Sequence, residues 1–109
     1  MLIRDLFKQK KRTLSFEVFP PVREGNLESL FQTIAELKEL KPDFISVTYG
    51  AAGGTRDKTI EIASRVKNEI KSEALAHLTC VASTRDDIVR IIEDMKAQNI
   101  ENILALRGD

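Results

Sequence analysis

Glu17, Thr48, His77 and Arg107 recur at steps of 31, 29 and 30 residues, each at the end of a short apolar run. A carboxylate, a hydroxyl, an imidazole and a guanidinium are side chains that move protons or hold polar ligands. The step is about the length of one βα unit, a strand with its crossover helix. Ligands of α/β proteins bind at the carboxyl ends of parallel strands, so a polar group at every strand end reads as one wall of a site. Glu17 is the least ordinary of the four, because it interrupts Leu14-Ser15-Phe16-Glu17-Val18-Phe19. Burial among these neighbours would disfavour the charged carboxylate and raise its pKa, which suits a general acid at neutral pH. The competing role is a structural ion pair with a basic residue such as Arg107.

The other candidates are weaker when taken one at a time. His77 stands mid-strand, where a satisfied core histidine is the plainer reading. His77 and Cys80 form no metal-ligand cluster, and their odd spacing puts them on opposite faces of a strand. Cys80 has no base beside it, which favours a buried, inert thiol. Gly50-Ala51-Ala52-Gly53-Gly54 would let a ligand approach the backbone closely, or would simply form a βα turn. It matches neither a dinucleotide fingerprint nor a P-loop. Leu106-Arg107-Gly108-Asp109 sets a cation, a bend and an anion at a strand end, which also fits a turn with a surface ion pair.

The elements that must position these residues alternate without a linker. Strands are expected at Leu14–Phe19, Phe44–Thr48, Leu75–Val81 and Asn102–Leu106. A short leading helix occupies about residues 1–12, with Leu2, Ile3, Leu6 and Phe7 on one face. Asn26 is a plausible N-cap for a helix striped by Leu27, Leu30, Phe31, Ile34 and Leu37. A second crossover helix spans about Asp57 to Lys71. Thr84-Arg85-Asp86-Asp87 reads as a capping-box start for a third, with Ile88, Ile91, Ile92 and Met95 facing inward. The order β-α-β-α-β-α-β predicts a parallel α/β sheet with right-handed crossovers.

Alternation along each strand then assigns faces. Ser15 and Glu17 lie opposite Phe16 and Val18. Ser46 and Thr48 lie opposite Ile45 and Val47, and His77 and Thr79 opposite Leu78 and Cys80. Arg107 and Asp109 share a face beyond Ala105. All four polar markers would line one face that turns polar toward the strand ends, as a barrel interior does near its mouth. A barrel of this type has eight strands and roughly 250 residues. Four strands make either an open sheet or half of a barrel with two exposed edges.

The chain of 109 residues is long enough for one small domain, expected to be a single partial domain over 1–109. Its 17 basic and 17 acidic residues cancel, so charge gives no case for nucleic acid or an anionic membrane. The run Lys8-Gln9-Lys10-Lys11-Arg12 is a solvated surface run or an anion contact. No apolar run approaches the roughly 20 residues of a membrane span. A lone cysteine suits a reducing cytosol and forbids an internal disulfide.

Together, the words Ser15-Phe16-Glu17-Val18-Phe19-Pro20-Pro21, Val47-Thr48-Tyr49-Gly50-Ala51, His77-Leu78-Thr79-Cys80 and Ala105-Leu106-Arg107-Gly108-Asp109 occur in order at strand ends. From Leu14 to Asp109 the chain closely resembles the N-terminal half of the methylenetetrahydrofolate reductase family. The resemblance implies the first half of a (β/α)₈ TIM-type barrel with FAD at the strand ends. It implies NAD(P)H-dependent reduction of 5,10-methylenetetrahydrofolate to 5-methyltetrahydrofolate, in one-carbon metabolism and methionine biosynthesis. Glu17 matches the general acid, and Asp109 a second catalytic position near flavin and pterin. Thr48, Tyr49, Ala51, His77, Arg107, Gly108 and Asp109 match flavin-binding positions. With the remaining strands missing, the isolated chain is expected to bind FAD weakly and to turn over little. The alternative is a non-catalytic half-barrel that self-associates through its strand edges as a homo-oligomer, or pairs with a C-terminal half. An aldolase or epimerase would need a strand-end lysine, and none of the four strands holds one.

Overall fold

The computed structural model describes residues 1–21, 27–49 and 56–108. Its elements are α1 (Ile3–Gln9), β1 (Ser15–Val18), α2 (Leu27–Lys38), β2 (Phe44–Val47), α3 (Arg56–Asn68), β3 (Ala74–Thr79), α4 (Arg85–Ala97) and β4 (Asn102–Leu106). All four strands are parallel and lie in the order β1-β2-β3-β4. Each strand is the neighbour of the next, so every crossover steps the same way. A doubly wound sheet reverses at a switch point, whereas a (β/α)₈ barrel does not. The chain thus has the α/β pattern of the first half of such a barrel.

Local chemistry explains most boundaries. The Thr84 hydroxyl accepts from the Asp87 N–H at 3.1 Å, and the Asp87 carboxylate accepts from the Thr84 N–H at 2.9 Å. This reciprocal cap starts α4 where the sequence predicts it. The helix closes with Asn99 at a left-handed φ of 64° and the Ile100 N–H donating to the Met95 carbonyl at 2.9 Å. Ile100 is thereby folded into the core. α3 stops at Asn68, short of the expected Lys71. The Ile70 and Ser72 N–H groups turn back to Arg65 and Val66, and Lys71 takes a φ of 64°. β3 begins at Ala74 and ends at Thr79, before Val81, because a turn follows in which the Ser83 N–H donates to the Cys80 carbonyl. The expected N-cap Asn26 lies outside the described residues.

One face of the sheet is covered by the crossover helices over β2 and β3, while Ile103 and Ala105 of β4 stay exposed on it. Val18, Ile45, Val47, Ala74, Ala76 and Leu78 pack against Phe31, Ile34, Ile60, Val66, Ile91 and Met95 of the crossover helices. Each of the larger side chains, the alanines excepted, contributes about 1.5–3 kcal/mol when buried. The opposite face is covered only near the amino ends of the strands. There α1 sets Ile3 and Leu6 against Phe44 and Leu75. Phe7 stays largely exposed, with its ring edge-on to Phe44 at 6.2 Å.

A polar network fastens α1 in place. Asn102 accepts from the Ile3 N–H at 2.8 Å and donates to the Met1 carbonyl at 2.9 Å and to Glu73 at 3.1 Å. The Met1 ammonium reaches Glu73 and Glu101, and Lys67 bridges the same two carboxylates at 2.8 and 3.1 Å. Burial works against the Lys67 charge, but its hydrogen bonds to Glu73 and Glu101 outweigh it and hold the ammonium above the ordinary lysine value. No described helix is long and apolar enough to cross a membrane.

Candidate active site at the carboxyl ends of the strands

The register stacks the exposed face in rows. Glu17 is level with Ser46, Ser46 with Leu75, and Leu75 with Asn102. Neighbouring partners point the same way, so this row shares the face that α1 caps. Two residues higher, Thr48 follows the last residue of β2, its N–H donating to the Val18 carbonyl at 3.1 Å. His77 is level with Leu104, and Thr79 with Leu106.

Across the intervening β2, Glu17 Oε1 lies 3.5 Å from His77 Nε2. The contact is an ion pair when the imidazole carries a proton. The two partners differ in setting, with 51% of the Glu17 side chain exposed against 12% for His77. This corrects the expected burial of Glu17. β1 is an edge strand, and no described element packs over its exposed face at that level, so Phe16 and Val18 turn away while the carboxylate faces solvent. The expected alternative, an ion pair with Arg107, is replaced by the contact with His77.

Arg107 departs from the common face as well. The register puts Asn102, Leu104 and Leu106 on the side of His77, so strict alternation sends residue 107 the other way. It lies past the end of β4 and is exposed. The structure therefore brings together Glu17, Thr48 and His77 but not Arg107. Tyr49 is buried in the main core, which leaves its backbone for any ligand contact. Cys80 is exposed, not buried, because it lies just past the end of β3. Ala51, with the glycines around it, and Asp109 lie outside the described residues.

Two hydrogen bonds hold the strand ends to α3. The Thr59 hydroxyl donates to the Thr48 carbonyl at 2.9 Å, and Lys58 Nζ donates to the Pro21 carbonyl at 3.0 Å. Gly108 has a φ of 88°, and a β-carbon there would come within 2.2 Å of Val81 Cγ2 and 3.3 Å of Thr79 Cβ. Only glycine fits this turn. Thr79 is a residue to which sequence reasoning gave no role. Its hydroxyl is sealed from solvent and has no hydrogen-bond partner among the described residues. The available signal was its parity with His77. Among the described residues, no three His, Cys, Asp or Glu side chains cluster as metal ligands.

The arrangement offers a solvent-facing carboxylate and an adjoining imidazole at the ends of parallel strands. It suits proton delivery to a polar ligand lying across the mouth.

Comparison with known proteins identifies the family. The methylenetetrahydrofolate reductase family model matches residues 2–109. The chain is 41% identical over 107 residues to methylenetetrahydrofolate reductase (NADH) 1 of Arabidopsis thaliana, covering 98% of this chain and 18% of that protein. It is 43% identical over 101 residues to the 5,10-methylenetetrahydrofolate reductases of Salmonella typhimurium and Escherichia coli, covering 93% of this chain and 34% of each. The chain thus spans about a third or less of the length of these curated relatives. With a match that runs through every strand and crossover described above, the chain belongs to the methylenetetrahydrofolate reductase family.

Proposed function

We propose that this chain carries the amino-terminal half of a flavin- and folate-binding site that reduces 5,10-methylenetetrahydrofolate to 5-methyltetrahydrofolate with NAD(P)H. The observation that carries the reading is the half-exposed Glu17 carboxylate beside His77 at the strand ends, in a chain of this family. Glu17 would deliver a proton to the folate ring nitrogen that leaves the methylene carbon. The five-membered ring then opens to an iminium, whose methylene carbon becomes the methyl group on accepting a hydride. Bound FAD would supply that hydride, taken from NAD(P)H.

The residues present fit such a group. The Thr79 hydroxyl, buried beneath the Gly108 turn, has no hydrogen-bond partner among the described residues, and Glu17 and His77 offer polar groups on the same face. Thr48, His77 and the Gly108 turn would hold the flavin, together with Arg107 and, outside the described residues, Ala51 and Asp109. His77, 3.5 Å from the Glu17 carboxyl, would help to position it. A cytosolic setting belongs to this reading.

Glu17→Gln in a full-length family protein carrying this segment tests it. Flavin reduction by NAD(P)H should persist while transfer to the folate is lost. Survival of both half-reactions would remove the acid role. For the chain alone, weak flavin retention and little turnover are expected, and a purified protein with stoichiometric flavin absorbance would contradict that.

A second reading rests on the open edge of β4. Ile103, Leu104 and Leu106 are exposed there, beside an apolar groove formed with Leu2, Phe7 and Phe44. Such an edge suits pairing with a second copy or with a carboxyl-terminal half. Size-exclusion chromatography with light scattering distinguishes the two, since a monodisperse flavin-free dimer favours the module.

A further inference from the structure

We infer that Thr79 is a positioning residue of the mouth, its hydroxyl held unpaired by the fold so that it can hydrogen-bond the polar edge of a flavin. The inference rests on the flavin reading above and adds a residue to it. Thr79 is 4% exposed, and its Oγ1 is sealed from solvent without a partner among the described residues. A buried hydroxyl in that state has lost its water and gained nothing in exchange. Valine would fill the same space in a strand without that cost. Packing of this state alone therefore does not account for the hydroxyl. A second state in which a ligand atom meets it does.

The surroundings point to the ligand's position. Thr79 is two residues beyond His77 on the same strand face, at the carboxyl end of β3. Glu17 meets His77 at 3.5 Å on that face. What lies against Thr79 is the turn at Gly108, whose φ of 88° and missing side chain allow it to sit almost on the threonine Cβ. Contact with a ligand requires this turn to shift, and a residue without a side chain can do so with little strain. A planar heteroaromatic ring with hydrogen-bonding edges is the chemistry that can span an imidazole and a hydroxyl two residues apart along one strand face.

The test compares the chain with Thr79→Val and Thr79→Ser, by thermal unfolding with and without FAD and by quenching of FAD fluorescence. Without FAD, Thr79→Val should unfold at the same temperature as the unaltered chain or a few degrees higher. With FAD, its stabilisation should shrink, and its Kd should rise about tenfold, the loss of one hydrogen bond. Thr79→Ser should restore binding. If Thr79→Val unfolds earlier without FAD, the hydroxyl already has a structural partner and the inference is wrong. If FAD stabilises the unaltered chain and Thr79→Val equally, the inference fails while the flavin reading stands. If FAD neither stabilises nor is quenched by the unaltered chain at millimolar concentration, the inference fails for this chain, and the Glu17→Gln half-reactions in the full-length protein decide the flavin reading.

Discussion

Among the described residues, the Asn102 side chain at the amino ends of the strands engages three partners, whereas the Thr79 hydroxyl at the carboxyl ends engages none. The two residues share one face of one sheet. Below, α1 covers Phe44 and Leu75, and Lys67 sits between two carboxylates and close to the chain's own amino group. Above, a half-exposed glutamate leans on a histidine, and a glycine turn covers an unpaired hydroxyl. The lower end satisfies its polar groups internally and is fastened by residues distant in sequence. The upper end leaves donors and acceptors for something else. In barrel enzymes this division separates the stability face from the catalytic face, and here it is present with four strands.

The contrast makes ordered expectations. Phe44→Ala should have the largest effect on folding, about 3–5 kcal/mol by denaturant titration, because it removes the ring on which α1 rests. A cost below about 1 kcal/mol would mean that α1 is an appendage. Asn102→Ala should cost about 1–3 kcal/mol, since it leaves the Ile3 N–H without its acceptor in a buried setting. Loss of amide-exchange protection at Ile3 would locate that effect.

The pH dependence should also belong to the lower half. Hydrogen bonds from Lys10 and from the Leu14 N–H hold the Asp43 carboxyl below its usual value, and Lys67 does the same for Glu101. A carboxyl whose folded pKa is depressed stabilises the fold above its unfolded value of about 4, and that contribution is lost as pH falls through the folded value. The denaturation midpoint should therefore drop below about pH 4, and less steeply in Asp43→Asn. For Lys67 the sign is reversed. Its contribution is present below the ordinary lysine value of about 10.4 and disappears as pH rises through the raised one. Lys67→Met should flatten that alkaline limb.

Glu17→Gln should have the smallest effect on stability, within about 0.5 kcal/mol, because the carboxylate is half in water and its contact with His77 is long. A loss of several kcal/mol would make Glu17 part of the scaffold and erase the difference between the ends.

Much of the frame was legible in the residues. The capping box at Thr84, the stripe from Ile88 to Met95 and the bounds of the strand Asn102–Leu106 depend on neighbours a few residues apart. The ends of α3 and β3 were placed less well. Lys71 and Ala82 adopt left-handed backbone without being glycine, so no local pattern announces them. At the site, the marker residues at 17, 48 and 77 do converge, while Arg107 misses their face by one step of register. Parity within a strand is visible in sequence, but parity between strands depends on how they align. Glu17 was read as buried from its apolar neighbours, yet those neighbours point to the opposite face.

By itself the sequence determined the alternation of strand and helix, the near-constant step between polar strand ends, and the family to which those words belong. Short-range sterics, capping and hydrophobic period set these features, and each operates within a few residues. Only the tertiary structure decided that Glu17 meets His77 across β2 and that α1 seals one end of the face. It also decided that Thr79 is enclosed without a partner. Those outcomes depend on strand register and on what covers each face, which arise from contacts between residues far apart in the chain.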